Sequence, residues 1–203
     1  MKKVILSLSI FSMVFLASYN NKPKKENIEG IEKEVTELPV GEAKKFINKN
    51  QNIKNSNIQI VKDFLNNYGD ISSYPTYLSS DVVYISLNEN DDPLKKIMVW
   101  AGRHEGIEEF AKYSTLIANN MIFHKFDVEY VFGEGEDVAV FGTIEIESKN
   151  LKQKAHSPFA IRIKVQNGKI NHFQFFEDTY ETASTYRVSG KWNISNSNGE
   201  FEI

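Results

Sequence analysis

Apolar positions along this chain fall into two regimes, one helical and one alternating. From residue 57 the spacing is helical: Ile58, Val61, Phe64, Leu65 and Tyr68 recur at steps of three and four, with Asn57 placed to cap the run and Gly69 to end it. Residues 71–79 are expected as a turn or short second helix around Pro75. Val82–Leu87 reads as a strand, Asn88–Pro93 as a loop and Leu94–Trp100 as a second strand. Gly102–Ala118 is expected as the longest helix. Ile107, Phe110, Ala111, Ser114, Ile117 and Ala118 line one face of it, and the acids Glu105, Glu108 and Glu109 suit its early turns.

Beyond that helix the period becomes two. Ile122, His124, Phe126, Val128, Tyr130 and Phe132 share one phase, followed by Val138, Val140, Ile144 and Ile146, then by Phe159, Ile161, Ile163 and Val165. Gly133-Glu134-Gly135, Lys149-Asn150 and Asn167-Gly168 supply the turns. The last hairpin is expected to carry a three-residue loop with a Gly bulge. That places Phe173 and Phe175 beside Phe159 and Ile161 on one apolar face, and His172 and Gln174 with Arg162 and Lys164 on the other, since a slip of one residue would exchange the faces. Helices followed by a long antiparallel meander with one apolar face predict an α+β domain whose sheet buries that face against the helices.

The first 56 residues follow neither regime. Lys2 and Lys3 precede Val4–Ala17, a mostly apolar run too short to span a bilayer but suited to a signal peptide, with Ala17 and Ser18 as a cleavage site. Leu16-Ala17-Ser18 resembles the start of a bacterial lipoprotein signal, but Tyr19 stands where the lipid-bearing Cys is required. The reading is therefore an exported protein, periplasmic or secreted, with no lipid anchor and no transmembrane domain in the mature chain. Residues 19–56 are a polar Lys/Glu/Asn-rich linker, 57–187 the domain, and 188–203 a tail in which Trp192, Phe201 and Ile203 stand among Asn, Ser and Gly.

Composition then removes whole classes of chemistry. The 203 residues contain no Cys, which excludes disulfides and thiol catalysis. Residues 1–56 hold 10 bases and 6 acids (+4), and residues 57–203 hold 14 and 21 (−7). A folded part with that balance is unsuited to neutralising phosphates, so nucleic acid is not expected as a partner.

Four short segments carry a resemblance: Asp81-Val82-Val83-Tyr84, Gly102-Arg103-His104-Glu105-Gly106, Asn167-Gly168-Lys169-Ile170 and Phe176-Glu177-Asp178-Thr179. In that order and spacing the chain resembles the SnoaL-like group of the nuclear transport factor two-like fold, related to ketosteroid isomerase, over about residues 57–187. The resemblance implies a cone: a curved antiparallel or mixed sheet wrapped around helices and enclosing a pocket. It also implies a His two residues after an aromatic on the penultimate strand, where Ile161 follows Phe159 here. A carboxylate is implied on the last strand, where Phe175 stands. Homodimerisation through the outer sheet face is common in the family.

With hydrocarbon at both polar positions, the expected function is non-catalytic binding of a small apolar ligand. One alternative is a small-molecule isomerase, cyclase or dehydratase using a pocket His as base, with a Tyr hydroxyl stabilising an enolate. Another is a structural or interaction domain with a filled interior. The expected pocket residues are Tyr84, Trp100, Tyr113, His124, Phe159, Ile161 and Phe175, with His124 the one candidate for catalysis. No cofactor and no metal are expected: His124 faces the apolar side while His156 and His172 point outward, so they do not converge. Asn88–Asp92 lacks the Gly and closing Glu of a calcium loop. Asp178-Thr179-Tyr180-Glu181 reads as a capping box.

Overall fold

The computed structural model describes residues 56–90 and 92–203. The expected signal segment and nearly all of the linker lie outside the described residues. Helix α1 (56–66) leads through a 3₁₀ turn (Ile71–Ser73) and α2 (Tyr74–Tyr77) into strand β1 (Leu78–Ser86). Then come α3 (Asp92–Ile97), β2 (Gly102–Glu105), α4 (Ile107–Asn120), β3 (Met121–Glu134), β4 (Asp137–Ser148), β5 (Lys154–Gln166), β6 (Lys169–Glu177), α5 (Thr179–Ser184), β7 (Asn193–Asn196) and β8 (Gly199–Glu202). The main sheet runs β2-β1-β6-β5-β4-β3, with β1 parallel to β6 and every other pair antiparallel. This is the expected α+β architecture with a mixed sheet. The tail folds as a separate β7-β8 hairpin rather than as an edge strand of the main sheet.

The burial pattern explains how the layers close. Along β4 and β5 alternate residues are buried without interruption, and Val138, Val140, Ile144, Phe159, Ile161, Ile163 and Val165 face the helices. Phe64 of α1, Tyr74, Tyr84, Phe110 of α4 and Phe173 meet them as an aromatic cluster, with ring centroids 4.6–6.0 Å apart between contacting pairs. Asn57 is not the cap of α1. It is buried inside the helix, and its side-chain amide donates to the Gly135 carbonyl at 2.9 Å, tying α1 to the β3–β4 turn.

Two expected elements are corrected. Leu94–Trp100 is not a strand: Pro93 at the start of α3 has its φ preset for a helix, and Leu94 and Met98 are buried one helical turn apart while Lys95 and Lys96 face outward. The long helix begins at Ile107 rather than Gly102. Gly102 (φ 114°) and Gly106 (φ 89°) adopt conformations closed to a helix and bracket the short edge strand Arg103-His104-Glu105, which pairs with β1.

Register decides which side chains meet the interior, and three skipped residues in β3 and β6 alter it, beside an irregularity in β1 between Leu78 and Val83. At the last hairpin the loop is two residues, Asn167 and Gly168, both at positive φ, and the extra residue is Asn171, skipped between the pairs Val165–Ile170 and Lys164–His172. The faces come out as expected, with Phe173 and Phe175 inward, although Phe175 now opposes Ile161 and Phe173 opposes Ile163. In β3, His124 is skipped between Phe123 and Lys125, and Glu129 between Val128 and Tyr130. Each skip reverses the phase, so Tyr130 and Phe132 lie on the outer face instead of in the core.

Candidate functional site

Between the helices and the inner side of the sheet lies a small, partly open cavity of about 50 Å³. Its enclosed part is narrow, with room for a few waters. Leu65 and Ile117, from α1 and α4, form the helical wall, and Tyr84 and Ser86 enter from β1. Phe126 of β3, Ile161 of β5 and Phe173 and Phe175 of β6 form the sheet wall, while Tyr68 and Trp100 come from the segments after α1 and α3. Behind the sheet wall Phe159 stacks on Phe175 at 5.5 Å and meets Phe126 at 4.5 Å, fixing both rings.

One ionisable carboxyl lines this cavity: Glu177, the last residue of β6. It follows Phe173 and Phe175 in the same phase, so the alternation that turns those rings inward turns its carboxyl inward as well. Burial pushes its pKa from 4.5 to about 7. The Thr182 hydroxyl works against that rise and the charge of Asp178 adds to it. Near neutral pH such a group is present both as acid and as base. No lysine, arginine or histidine joins it among the lining residues.

The backbone around Glu177 is held from several sides. Asp178 caps α5, accepting from the backbone N–H groups of Tyr180 (3.0 Å) and Glu181 (3.1 Å), the role expected of it. The Asp178 N–H donates to Ser157 Oγ at 2.7 Å, and Ser148 Oγ donates to the Thr185 carbonyl at 2.7 Å, so β4 and β5 clamp the strand-to-helix turn.

The other polar side chains lining the cavity are Tyr68, Tyr84, Ser86 and Trp100, with Ser114 and Tyr74 next to Tyr68 outside the lining. Tyr68 Oη and Ser114 Oγ lie 3.2 Å apart, and Tyr74 Oη donates to the Tyr68 carbonyl at 2.6 Å. Burial raises the pKa of Tyr68, Tyr74 and Tyr84, so all three phenols stay protonated and remain hydrogen-bond donors. Tyr186, which meets Trp100 edge-on at 5.9 Å, is pushed by burial to about 12, and the Glu177 charge contributes to that rise and to that of Tyr84.

Of the seven pocket residues expected from the sequence, Tyr84, Trp100, Ile161 and Phe175 meet in this cavity. Phe159 lies just behind it. Tyr113 is elsewhere, stacked on the His104 ring at 3.3 Å. His124 is on the outer face: as a bulge residue it escapes the alternation, and its Nε2 lies 3.0 Å from Glu147 with its side chain 40% exposed. Sequence reasoning passed over Glu177, although its phase with Phe173 and Phe175 was available. Among the described residues no group of acids and histidines converges as a metal site.

No protein-family model matches the sequence. The chain is 32% identical over 135 residues to patulin synthesis protein F of Aspergillus clavatus, a match that covers 64% of this chain and 68% of that protein. Among solved structures, an NTF2-like protein of Burkholderia xenovorans superposes with a TM-score of 0.57 at 21% identity, covering 66% of this chain and 98% of that one. A SnoaL-like polyketide cyclase assigned in Jannaschia sp. gives 0.53 at 15% identity over 68% and 96%. TerC, crystallised with polyporic acid, gives 0.54 at 17% identity over 64% and 98%.

Proposed function

The chain belongs to the SnoaL-like, nuclear transport factor two-like family, and on that footing we propose that its cavity takes a small, largely apolar molecule and that Glu177 exchanges a proton with it. The observation that carries this is a lone carboxyl, inside a wall of rings and aliphatic side chains, whose pKa is raised to about 7. As a carboxylate it removes a proton from carbon beside a carbonyl, and as the acid it returns one at another position or to a departing hydroxyl. The phenol of Tyr84, held protonated, donates to the carbonyl oxygen on which charge develops. The reaction class is isomerisation, cyclisation or dehydration, with a carboxyl in the place the sequence reading gave to a histidine. The relative's part in patulin synthesis supports a biosynthetic role on a small molecule. Export through a signal peptide of residues 1–18 is part of the same proposal.

Non-catalytic holding of a ligand is the second reading, favoured by the absence of any second acid or base among the lining residues. Native mass spectrometry of the full chain from its own host shows whether a molecule is retained. Incubation with 2-cyclohexen-1-one in D₂O, followed by NMR, then separates the readings. Deuterium uptake beside the carbonyl that falls at least about 100-fold in Glu177→Gln supports proton transfer. Saturable binding with no uptake supports holding and overturns catalysis.

A further inference from the structure

One donor on the cavity wall has no acceptor in the protein. Trp100 lines the cavity and is 3% exposed, so nearly all of its ring is shut off from bulk water. Its indole N–H makes no hydrogen bond among the described residues. It is not sealed in either. The side-chain polar atoms closed off without a partner, among the described residues, are Ser79 Oγ, Asn171 Oδ1, His172 Nε2 and Thr182 Oγ1. The indole N–H therefore borders free space, and the space that this buried residue borders is the cavity.

The hydroxyls of the same wall are differently placed. Tyr68 Oη lies 3.2 Å from Ser114 Oγ, and the Tyr84 phenol has the hydroxyls of Ser86 and Tyr68 beside it. A hydroxyl both donates and accepts, so such groups satisfy one another, whereas an indole N–H only donates and needs a lone pair. The ring that carries it is held on both sides. His104 Nε2 donates to the Trp100 carbonyl at 3.3 Å, and the His104 ring is itself stacked on Tyr113. Tyr186 meets the indole edge-on at 5.9 Å, and its phenol donates to the Asn120 carbonyl at 3.2 Å. The donor is thus ordered before a ligand arrives, and an acceptor that meets it gains the hydrogen bond at little cost in conformational freedom.

We propose that the ligand carries a second oxygen besides the carbonyl that faces Tyr84, and that Trp100 selects for it by donating its indole N–H; this rests on the reading of the cavity given above. The ligand class is then a small ketone bearing a further hydroxyl, ether or carbonyl oxygen, not a hydrocarbon ketone. A hydrocarbon surface laid against the indole N–H takes away its contact with water and returns nothing. An oxygen at that point replaces the lost hydrogen bond. Trp100 acts here as a specificity-determining residue, and proton transfer stays with Glu177.

The sequence holds two tryptophans, so an NMR spectrum of the nitrogen-15-labelled full chain carries two indole N–H signals. Trp192→Phe, a change at a half-exposed ring of the tail, assigns them. 2-Cyclohexen-1-one is titrated beside its 4-hydroxy, 5-hydroxy and 6-hydroxy derivatives. At least one hydroxy ketone should bind about 10-fold more tightly than the parent. It should also move the Trp100 indole proton downfield and leave the Trp192 signal in place. Trp100→Phe keeps a ring and removes the donor, so it should bind the parent ketone at least as well and lose the preference. The indole shift is read in the wild type, so it decides even where Trp100→Phe does not fold. Equal binding of all four ketones with the Trp100 signal unmoved, or a preference that survives in Trp100→Phe, overturns the proposal and leaves the reading of the cavity standing. Binding of none of the four overturns both.

Discussion

Replacing Glu177 with Gln keeps the shape of the side chain and removes the charge that the cavity resists. Raising an acid from 4.5 to about 7 costs its ionised form about 3 kcal/mol in the folded protein. The sign follows from proton binding. In the unfolded chain this carboxyl ionises near its ordinary value, whereas in the folded chain it keeps its proton until about pH 7. Between those values the folded state binds more protons, so Glu177 lowers stability as pH rises through that window and no further above it. Below pH 4.5 both states are protonated and the term vanishes. Glu177→Gln should therefore match the wild type near pH 4 and exceed it by up to about 3 kcal/mol at pH 8, while proton transfer is lost. Urea unfolding of both proteins at the two pH values, with equal slopes, measures this, and the remaining carboxylates cancel in the difference. A stability difference that does not change with pH would refute the placement of an ionisable group in an apolar cavity.

Substitutions at three positions and two single-residue deletions test the frame around that group. Gly142→Ala places a Cβ 1.9 Å from the Asp127 carbonyl oxygen and 2.7 Å from the Phe159 ring, so it should destabilise by about 3 kcal/mol or prevent folding, read by thermal melting. Asp178→Ala removes the cap of α5 and should cost about 1 kcal/mol, with Asp178→Asn close to wild type in the same melts. His124→Ala loses only a surface contact with Glu147, so stability should fall by less than about 1 kcal/mol and ligand binding should not change in a titration. Deleting Asn171 removes a bulge and leaves the pairs on either side of it in place, so ligand binding should survive. Deleting Gln174 shifts Phe175 and Glu177 to the outer face and should abolish binding.

Where the backbone is regular, the sequence reads correctly. β4 and β5 have no skipped residue, and every inward side chain there follows the alternation of the chain. The apolar positions of α4 are right as well, because a face of Ile107, Phe110, Ser114 and Ile117 admits one packing direction. The edge strand Gly102–Glu105 was hidden by the acids that follow it: Glu108 and Glu109 are good first-turn residues, and only the two positive-φ glycines reveal that the chain is not yet helical at Glu105. Leu94 and Met98 are four apart, the helical signal, but Val99 and Trp100 next to them supplied a competing strand signal.

The site itself was legible in part, and the reason lies in bulges. A skipped residue leaves no apolar signature, since either phase on its two sides looks continuous. His124 therefore entered the inward set by counting from Ile122, whereas the strand reaches Phe126 by a different count and expels the histidine. The same arithmetic worked at β6, because an extra residue between Gly168 and Phe173 was required to keep Phe173 and Phe175 on the buried side. Carried two positions further, that count reaches Glu177. Expecting the acid only at the position of Phe175 made the cavity look wholly apolar. The physical pattern places the carboxyl at the strand end, where β6 gives way to α5 and Thr182 stands beside it. There one face of the group meets rings and the other meets a capped helix, which allows its charge to appear and disappear near neutral pH.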